Sequence, residues 1–327
     1  YAQLVEEFIR NDLTGFKRLY LKDREIKNLI LMGDFLTETI FREERQDNII
    51  TRAEFEKRYE NTVYKTETSL SEEMDIDPEY AALIVPTMVI CKDFMDLFNA
   101  EALWMPGVSL LDGIAYDFGE KKNFIKSAHN FENDILVAAR NIAKRYSTGK
   151  DHIKGTTDLA LAIFDSMKKV HGMGDRERLL LQIAVQLHDC GKYISMGDVA
   201  ECSYQIIMAT EIIGLSTEER QIIANAVRYN TTEFVYYSEI AGEIGMDRSV
   251  YLLIAKLTAI LRIANAMDRS HYQKVKNMKA MLKDRTLLLT VDSEQDISLE
   301  LGLLMDKVEF FEEVFGIRLV FRRKRKV

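Results

Sequence analysis

Proline is scarce in this chain, with 3 residues in 327. So few helix breakers favour long helices over a loop-rich fold. Cysteine is nearly as rare: Cys91, Cys190 and Cys202 are widely spaced, odd in number and in no CxxC arrangement. That excludes a disulfide framework or a zinc knuckle and fits a reducing, cytoplasmic setting. Positive charge is in deficit, 44 Lys and Arg against 52 Asp and Glu, for a formal net charge of -8. A general nucleic-acid binder or a membrane-surface protein carries the opposite balance. There is also no unbroken apolar run of membrane-spanning length. The most apolar stretch, Tyr251 to Met267, is interrupted by Lys256 and Arg262. No signal peptide is visible, since the start Tyr1-Ala2-Gln3-Leu4-Val5-Glu6-Glu7 is acidic and amphipathic. An initiator Met is lacking too, so the chain is expected to start partway into a longer protein. What remains is an ordinary globular balance, 47% hydrophobic and 29% charged, long enough for two or three domains with sizeable cores.

The patterning is mostly helical. Residues 1 to about 22 read as one amphipathic helix. Asn28-Leu29-Ile30-Leu31-Met32-Gly33 is strand-like and ends at a glycine. Thr51-Arg52-Ala53-Glu54 is a capping box, so a helix begins near residue 52. Asp77-Pro78 starts another, with proline at an early helical position where its missing N–H costs nothing. Met105 to Gly113 is a turn-rich joint, and Gly119-Glu120-Lys121-Lys122 looks like a domain boundary. From about 124 to 280 the pattern is almost wholly helical, including Phe131–Tyr146, a helix from about His152, one around Ser203–Glu211 and one from Thr217 capped by Ser216. Tyr251–Met267 is apolar nearly all round and is expected to be the central buried helix. The end changes character: Thr286–Val291 and Ile297–Leu301 read as strands, followed by a helix over Leu303–Val314 and a last strand, Ile317–Phe321. Arg322 to Lys326 form a basic tail. The fold class implied is α+β and mainly helical, in segments 1–120, 121–280 and 281–327.

The chemistry centres on Leu187-His188-Asp189-Cys190-Gly191-Lys192. Leu180, Ile183, Ala184 and Leu187 recur at i, i+3, i+4 and i+7, one buried helical stripe. Gly191 can then end the helix by adopting a left-handed conformation. An imidazole and a carboxylate are thus held side by side at the end of a buried helix, and both are good ligands for divalent transition metals. His152 begins another helix, and Asn265 and Asp268 lie three apart near the end of the buried helix, on one face. His152, His188, Asp189 and one of Asn265 or Asp268 can hold a divalent ion with positions open for water. The plainer alternative is that His188 and Asp189 only hydrogen-bond the helix end and its loop. His129, His171 and His271 read as surface or loop histidines, and Lys192 as a salt-bridge partner of Asp189.

These motifs together resemble the Ppx/GppA family of exopolyphosphatases and guanosine pentaphosphate phosphohydrolases. Tyr146…His152 with Leu159-Ala160-Leu161-Ala162-Ile163-Phe164-Asp165 is similar to the opening helices of its HD-like domain, and Leu187–Lys192 to the central motif. Gly214–Arg220, Ala226–Asn230 and Leu261–Ser270 are similar to the segments after it. Ile50–Glu56 and Gly113–Asp117 resemble the second actin-like domain. The resemblance implies a partial actin-like (ribonuclease H-like) domain over 1–120, an all-α HD-like domain over 121–280 and a small α/β piece over 281–327. It implies hydrolysis of a terminal phosphoanhydride in polyphosphate or guanosine pentaphosphate, with Mg or Mn, in a dimeric, cytoplasmic protein without membrane or nucleic-acid partners.

The family's hydrolytic site lies between two actin-like domains, of which the first would precede Tyr1. The chain by itself is therefore not expected to hydrolyse polyphosphate, and no catalytic residue is assigned. One phosphate loop is expected near Met32–Thr37, with Gly33 and Thr37 as binding residues. Asp34, Phe35 and Leu36 depart from its glycine-rich pattern, and weak phosphate binding is expected. Asn265 stands where the family's last helix has Asp, which implies a weakly held transition metal. Two alternatives stay open: an HD-type metal phosphohydrolase acting on nucleotides, and a non-catalytic polyphosphate- or nucleotide-binding regulator.

Overall fold

Side-chain caps set the helix boundaries. The Thr51 hydroxyl accepts from Glu54 N while the Glu54 carboxylate accepts from Thr51 N, and Ser216 with Glu219 repeats the arrangement. Asp77 caps the helix that opens at Pro78. The computed structural model describes residues 1–21, 24–33, 35, 48–126, 129–240, 247–275 and 277–323. It divides into two compact units, Tyr1–Ala128 and His129–Val327.

In the first unit, α1 (Ala2–Phe16) passes into a π-helical turn over Lys17–Leu21. It is followed by β1 (Asn28–Ile30), β2 (Ile49–Thr51), α2 (Arg52–Thr62), α3 (Glu67–Met74), α4 (Pro78–Phe98), β3 (Ala102–Trp104) and α5 (Leu110–Lys121). The sheet runs β1-β3-β2, with β1 parallel and β2 antiparallel to β3. The core is built on α4, whose Ile84, Met88 and Met95 pack with Phe55, Leu70 and Leu103. The segment read as a turn-rich joint is in part helical. Ser109 and Asp112 form a second-rank capping box that starts α5, so Gly113 and Gly119 lie inside a helix.

The second unit contains α6 (Phe131–Arg145), α7 (Lys150–Ser166), α8 (Lys168–His171), α9 (Asp175–Leu187) and α10 (Val199–Ala209). Then come α11 (Thr217–Arg228), α12 (Tyr237–Ile240), α13 (Arg248–Ala266), β4 (Asn277–Lys283), β5 (Thr286–Asp292), α14 (Ser298–Phe315) and β6 (Arg318–Arg323). One hydrophobic cluster joins all of it. Phe164, Leu181, Ile183 and Ile260 from the helices share that core with Leu287, Leu289 and Phe311. The sheet runs β4-β5-β6, antiparallel then parallel. As expected, α13 is the central helix. It is long and apolar enough to cross a membrane, but 72% of its apolar window is buried in this core. Its two interrupting cations are used internally: Lys256 donates to the His171 carbonyl, and Arg262 to the carbonyls of Tyr229 and Thr232.

Three expectations are corrected. Ile297–Leu301 is not a strand. Asp296 accepts from Ser298 N to open α14, and the buried positions Glu300, Leu304, Phe311 and Phe315 follow a helical period. Asn277–Lys283, expected within the helical region up to 280, is strand β4. Gly191 does not end α9 in a left-handed conformation. The helix stops at His188 and runs into a 3-10 turn over Cys190–Tyr193. A Cβ on Gly191 would lie 2.3 Å from the Val199 carbonyl oxygen and 2.6 Å from Ser203 N, so the residue is glycine because α10 crosses against it. The Ser203 hydroxyl accepts from Gly191 N and donates to the His188 carbonyl, tying the two segments together.

Candidate metal centre

Three elements of the second unit, α7, α9 and α13, bring site residues together. His152 sits in the first turn of α7, and α9 delivers His188 and Asp189 just past its last turn. Asp268 and His271 follow the end of α13. His152, His188 and Asp268 are 3% exposed or less, and Asp189 is 9% exposed. Ionisable groups are rarely buried to that extent without partners.

The hydrogen bonds fix the imidazole tautomers. His188 Nδ1 lies 2.7 Å from the Val185 carbonyl oxygen, which can only accept, so Nδ1 carries the proton. His152 Nδ1 lies 2.7 Å from Asp268 Oδ2. Burial works to raise the Asp268 carboxyl, but the His152 and Gln273 hydrogen bonds outweigh it and hold the group below the usual carboxylate range. Asp268 therefore accepts, and His152 also carries its proton on Nδ1. The two Nε2 atoms face each other, 3.1 Å apart, and with both rings in the neutral Nδ1–H form their lone pairs are opposed. Burial pushes the His188 pKa down and keeps that ring neutral, so it has no proton of its own to relieve the opposition. Asp189 borders the same point, with Oδ1 3.6 Å from His188 Nε2 and Oδ2 4.0 Å from His152 Nε2. Burial works to raise this carboxyl as well, and the neighbouring imidazoles and the Lys192 ammonium outweigh it. Lys192 bonds Asp189 Oδ2, as expected.

This arrangement fits a cation. Metal–nitrogen bonds of about 2.0–2.1 Å place two adjacent imidazole ligands roughly 3–3.4 Å apart, the spacing found here. A ligating histidine ordinarily donates its other N–H to a carboxylate or a carbonyl. His152 does the first and His188 the second.

Asp268 thus faces His152 Nδ1, the side away from the opposed lone pairs. Asn265 is 7% exposed, and its Oδ1 is buried without a hydrogen-bond partner. His271, expected on the surface, is at the site: its ring stacks on His152 at 3.6 Å and 5°, and its Nε2 is 3.8 Å from Asp189 Oδ2. Burial, then the neighbouring His152 and Lys192, lower its pKa to about 4, so it too is neutral at pH 7. The sequence signal that could have found it is its place one turn beyond Asp268. His171 is also buried, but structurally. Its Nε2 donates to the Phe164 carbonyl, and its Nδ1 accepts from Met173 N. His129 is exposed as expected.

In the first unit, Gly33 follows β1 with φ 143°, a conformation that favours glycine, and a Cβ there would meet nothing within 4 Å. The Phe35 ring stacks on Tyr80 at 6.2 Å. Asp34, Leu36 and Thr37 lie outside the described residues, so only half of the expected phosphate loop has a described geometry.

Comparison with curated proteins gives no match. Residues 137–309, more than half of the chain, match the family description "Ppx/GppA phosphatase, domain III". That span runs from within α6 into α14 and encloses His152, His188, Asp189, Asp268 and His271. By this match, the chain belongs to the Ppx/GppA phosphatase family.

Proposed function

We propose that the protein serves hydrolysis of terminal phosphoanhydride bonds, in inorganic polyphosphate or guanosine pentaphosphate, and that its helical unit holds a divalent metal through His152, His188 and Asp189. The observation that carries the metal site is the pair of opposed Nε2 atoms at 3.1 Å, each ring protonated on its far nitrogen. A divalent ion held there would supply a Lewis acid for a phosphoryl oxygen. The chain's own residues shape that site. Val185 and Asp268 hold the two rings in the ligating tautomer. Lys192 keeps Asp189 ionised and stands beside the site as a cation for phosphate. The His152 and His188 rings are buried, and Asp189 is the most exposed of the three.

The test is metal analysis after dialysis against manganese, cobalt or nickel, followed by metal-dependent binding of polyphosphate and guanosine pentaphosphate. Wild type is expected to retain about one ion per chain, His188→Ala none, and Asn265→Asp more than wild type under chelator. A buried carboxylate at 265 is costly unless a cation lies near it, so its negative charge would strengthen binding only at a real metal site. Equal metal content in all three proteins would sink the reading. A second reading, an HD-type phosphohydrolase acting on nucleotides, is favoured by the His152–His188–Asp189 grouping. Phosphate release from nucleotides that requires both metal and His188 would select it over the first.

A further inference from the structure

Asp268 is committed to His152 and Gln273, and Asn265 offers only an uncharged amide. The group from this end of the molecule that reaches the cluster with a lone pair is His271. One of its ring nitrogens, an oxygen of Asp189 and a ring nitrogen of His152 all lie within 4.8 Å of one another, and His271 Nε2 is 3.8 Å from Asp189 Oδ2. We infer that His271 is a third imidazole ligand at the metal centre, and that the resulting set of three nitrogens and one carboxylate selects a zinc-, cobalt- or nickel-class ion over magnesium. This rests on the metal site proposed above, and it adds a ligand and a metal class to it.

The loop is built to keep His271 in place. His271 and Gln273 adopt left-handed conformations, φ 58° and 46°, which non-glycine residues seldom hold without surrounding support. That support is present on both sides. Asp268 Oδ1 accepts from Gln273 N at 2.8 Å, His271 N donates to the Asp268 carbonyl, and Gln273 Nε2 donates to the His271 carbonyl. On the far side, Glu300 of α14, 3% exposed, accepts from Ser270 and Lys274. A buried carboxylate is therefore spent on holding the two residues that flank the His271 turn. The ring itself is 35% exposed at its side chain, against 2% for His152. Parallel stacked rings direct their lone pairs side by side, so one ion shared between them requires one ring to tilt. His271, the more exposed and loop-borne of the two, is the ring whose tilt disturbs the core least.

The donor chemistry sets the metal class. Imidazole nitrogen suits zinc, nickel and copper, whereas magnesium takes oxygen ligands and keeps several waters. With Asp268 outside the ligand set, only Asp189 contributes oxygen.

The experiment uses the full chain as wild type, His271→Asn and Asp268→Asn. Asparagine tolerates the left-handed backbone at 271, so this change removes the imidazole without breaking the turn. Competition with a chromophoric chelator gives affinities for zinc, cobalt, manganese and magnesium. The visible spectrum of the cobalt form reports the ligand set, and thermal melts of the metal-free proteins check folding. Wild type is expected to bind zinc and cobalt more tightly than manganese, and magnesium least. Losing a residue that only orients a ligand costs about 10–100-fold, the loss expected for Asp268→Asn. His271→Asn is expected to lose at least as much for zinc and cobalt, much less for manganese, and to shift the cobalt spectrum. Unchanged cobalt affinity and spectrum in His271→Asn would overturn the role of His271 while leaving the His152–His188–Asp189 site standing. Absence of metal binding in wild type would overturn both.

Discussion

At the residue scale, four groups of the centre are each held in the less protonated state. The His188 ring is driven neutral by burial, as is His271, whose pKa falls to about 4. Asp189 and Asp268 are held below the usual carboxylate range. The sign of the consequence is the same for all four. A histidine whose folded pKa lies below its unfolded value of about 6.5 contributes stability that begins to fall as pH drops through about 6.5, because the unfolded chain takes up the proton first. A depressed carboxylate adds its own loss from about pH 4 downwards. The metal-free protein is expected to be most stable near neutrality and to lose several degrees of Tm between about pH 7.5 and 5, with about 2–4 °C per kcal/mol for a unit of this size. His188→Gln removes one of the buried titrating groups and should flatten that dependence. Thermal melts across the pH series measure it, and a Tm that is level or rising towards pH 5 in the metal-free wild type would contradict the assignment.

At the element scale, what could be read from the sequence was what local chemistry dictates. Capping boxes at Thr51 and Ser216 and the Asp77-Pro78 start gave their helices, and the all-round apolar character of α13 gave its central place. The features that escaped depend on packing. Ile-Ser-Leu-Glu-Leu at 297–301 alternates like a strand, yet Leu299 is 53% exposed while Glu300 is buried, because Glu300 is needed by Ser270 and Lys274. No hydropathy pattern anticipates a buried glutamate. β4 escaped because its alternate residues are only half-covered, so its signal is weak. Within the site, His188, Asp189 and His152 were legible from motif and helix position. His271 was not, since left-handed turns beyond a helix end leave no periodic trace. Gly191 is required by the close approach of α10 rather than by a left-handed helix end, and that yields a paired prediction. Gly191→Ala drives a Cβ into backbone of α10 and should cost on the order of 1–3 kcal/mol or more, with loss of metal affinity as the His188–Asp189 turn shifts. Gly302→Ala, on an exposed face of α14 with nothing within 4 Å, should stabilise by about 0.5–1 kcal/mol. Chemical denaturation of both variants checks the pair. Opposite signs to these would mean that the Cys190–Tyr193 turn packs loosely on α10.

At the scale of the whole molecule, the deciding fact is that the described residues form two hydrophobic cores with no shared members. One draws on residues of the first unit only, around Phe55, Met88 and Leu103. The other runs from Ile135 to Leu319 and includes the C-terminal sheet together with the helices that carry the metal centre. Every group at that centre, and every residue that holds it, Val185, Gln273 and Glu300 among them, belongs to the second unit. A unit with its own core is expected to fold alone. The segment 129–327, expressed separately, should therefore show a cooperative melt and the same cobalt affinity and spectrum as the full chain, within about a factor of 2–3. The C-terminal sheet is the critical margin of that segment. Leu287, Leu289 and Val291 of β5 are fully buried against the helices, so truncation after α13 strips apolar cover from the core. At about 25 cal/mol per Å² of apolar area, losing three such side chains removes roughly 5–9 kcal/mol, comparable with the whole stability of a domain. A fragment ending near residue 275 is accordingly expected to lack cooperative unfolding and to bind no metal. If that shorter fragment melts cooperatively with metal affinity intact, the sheet is an appendage rather than part of the core, and the single-core account of the second unit fails.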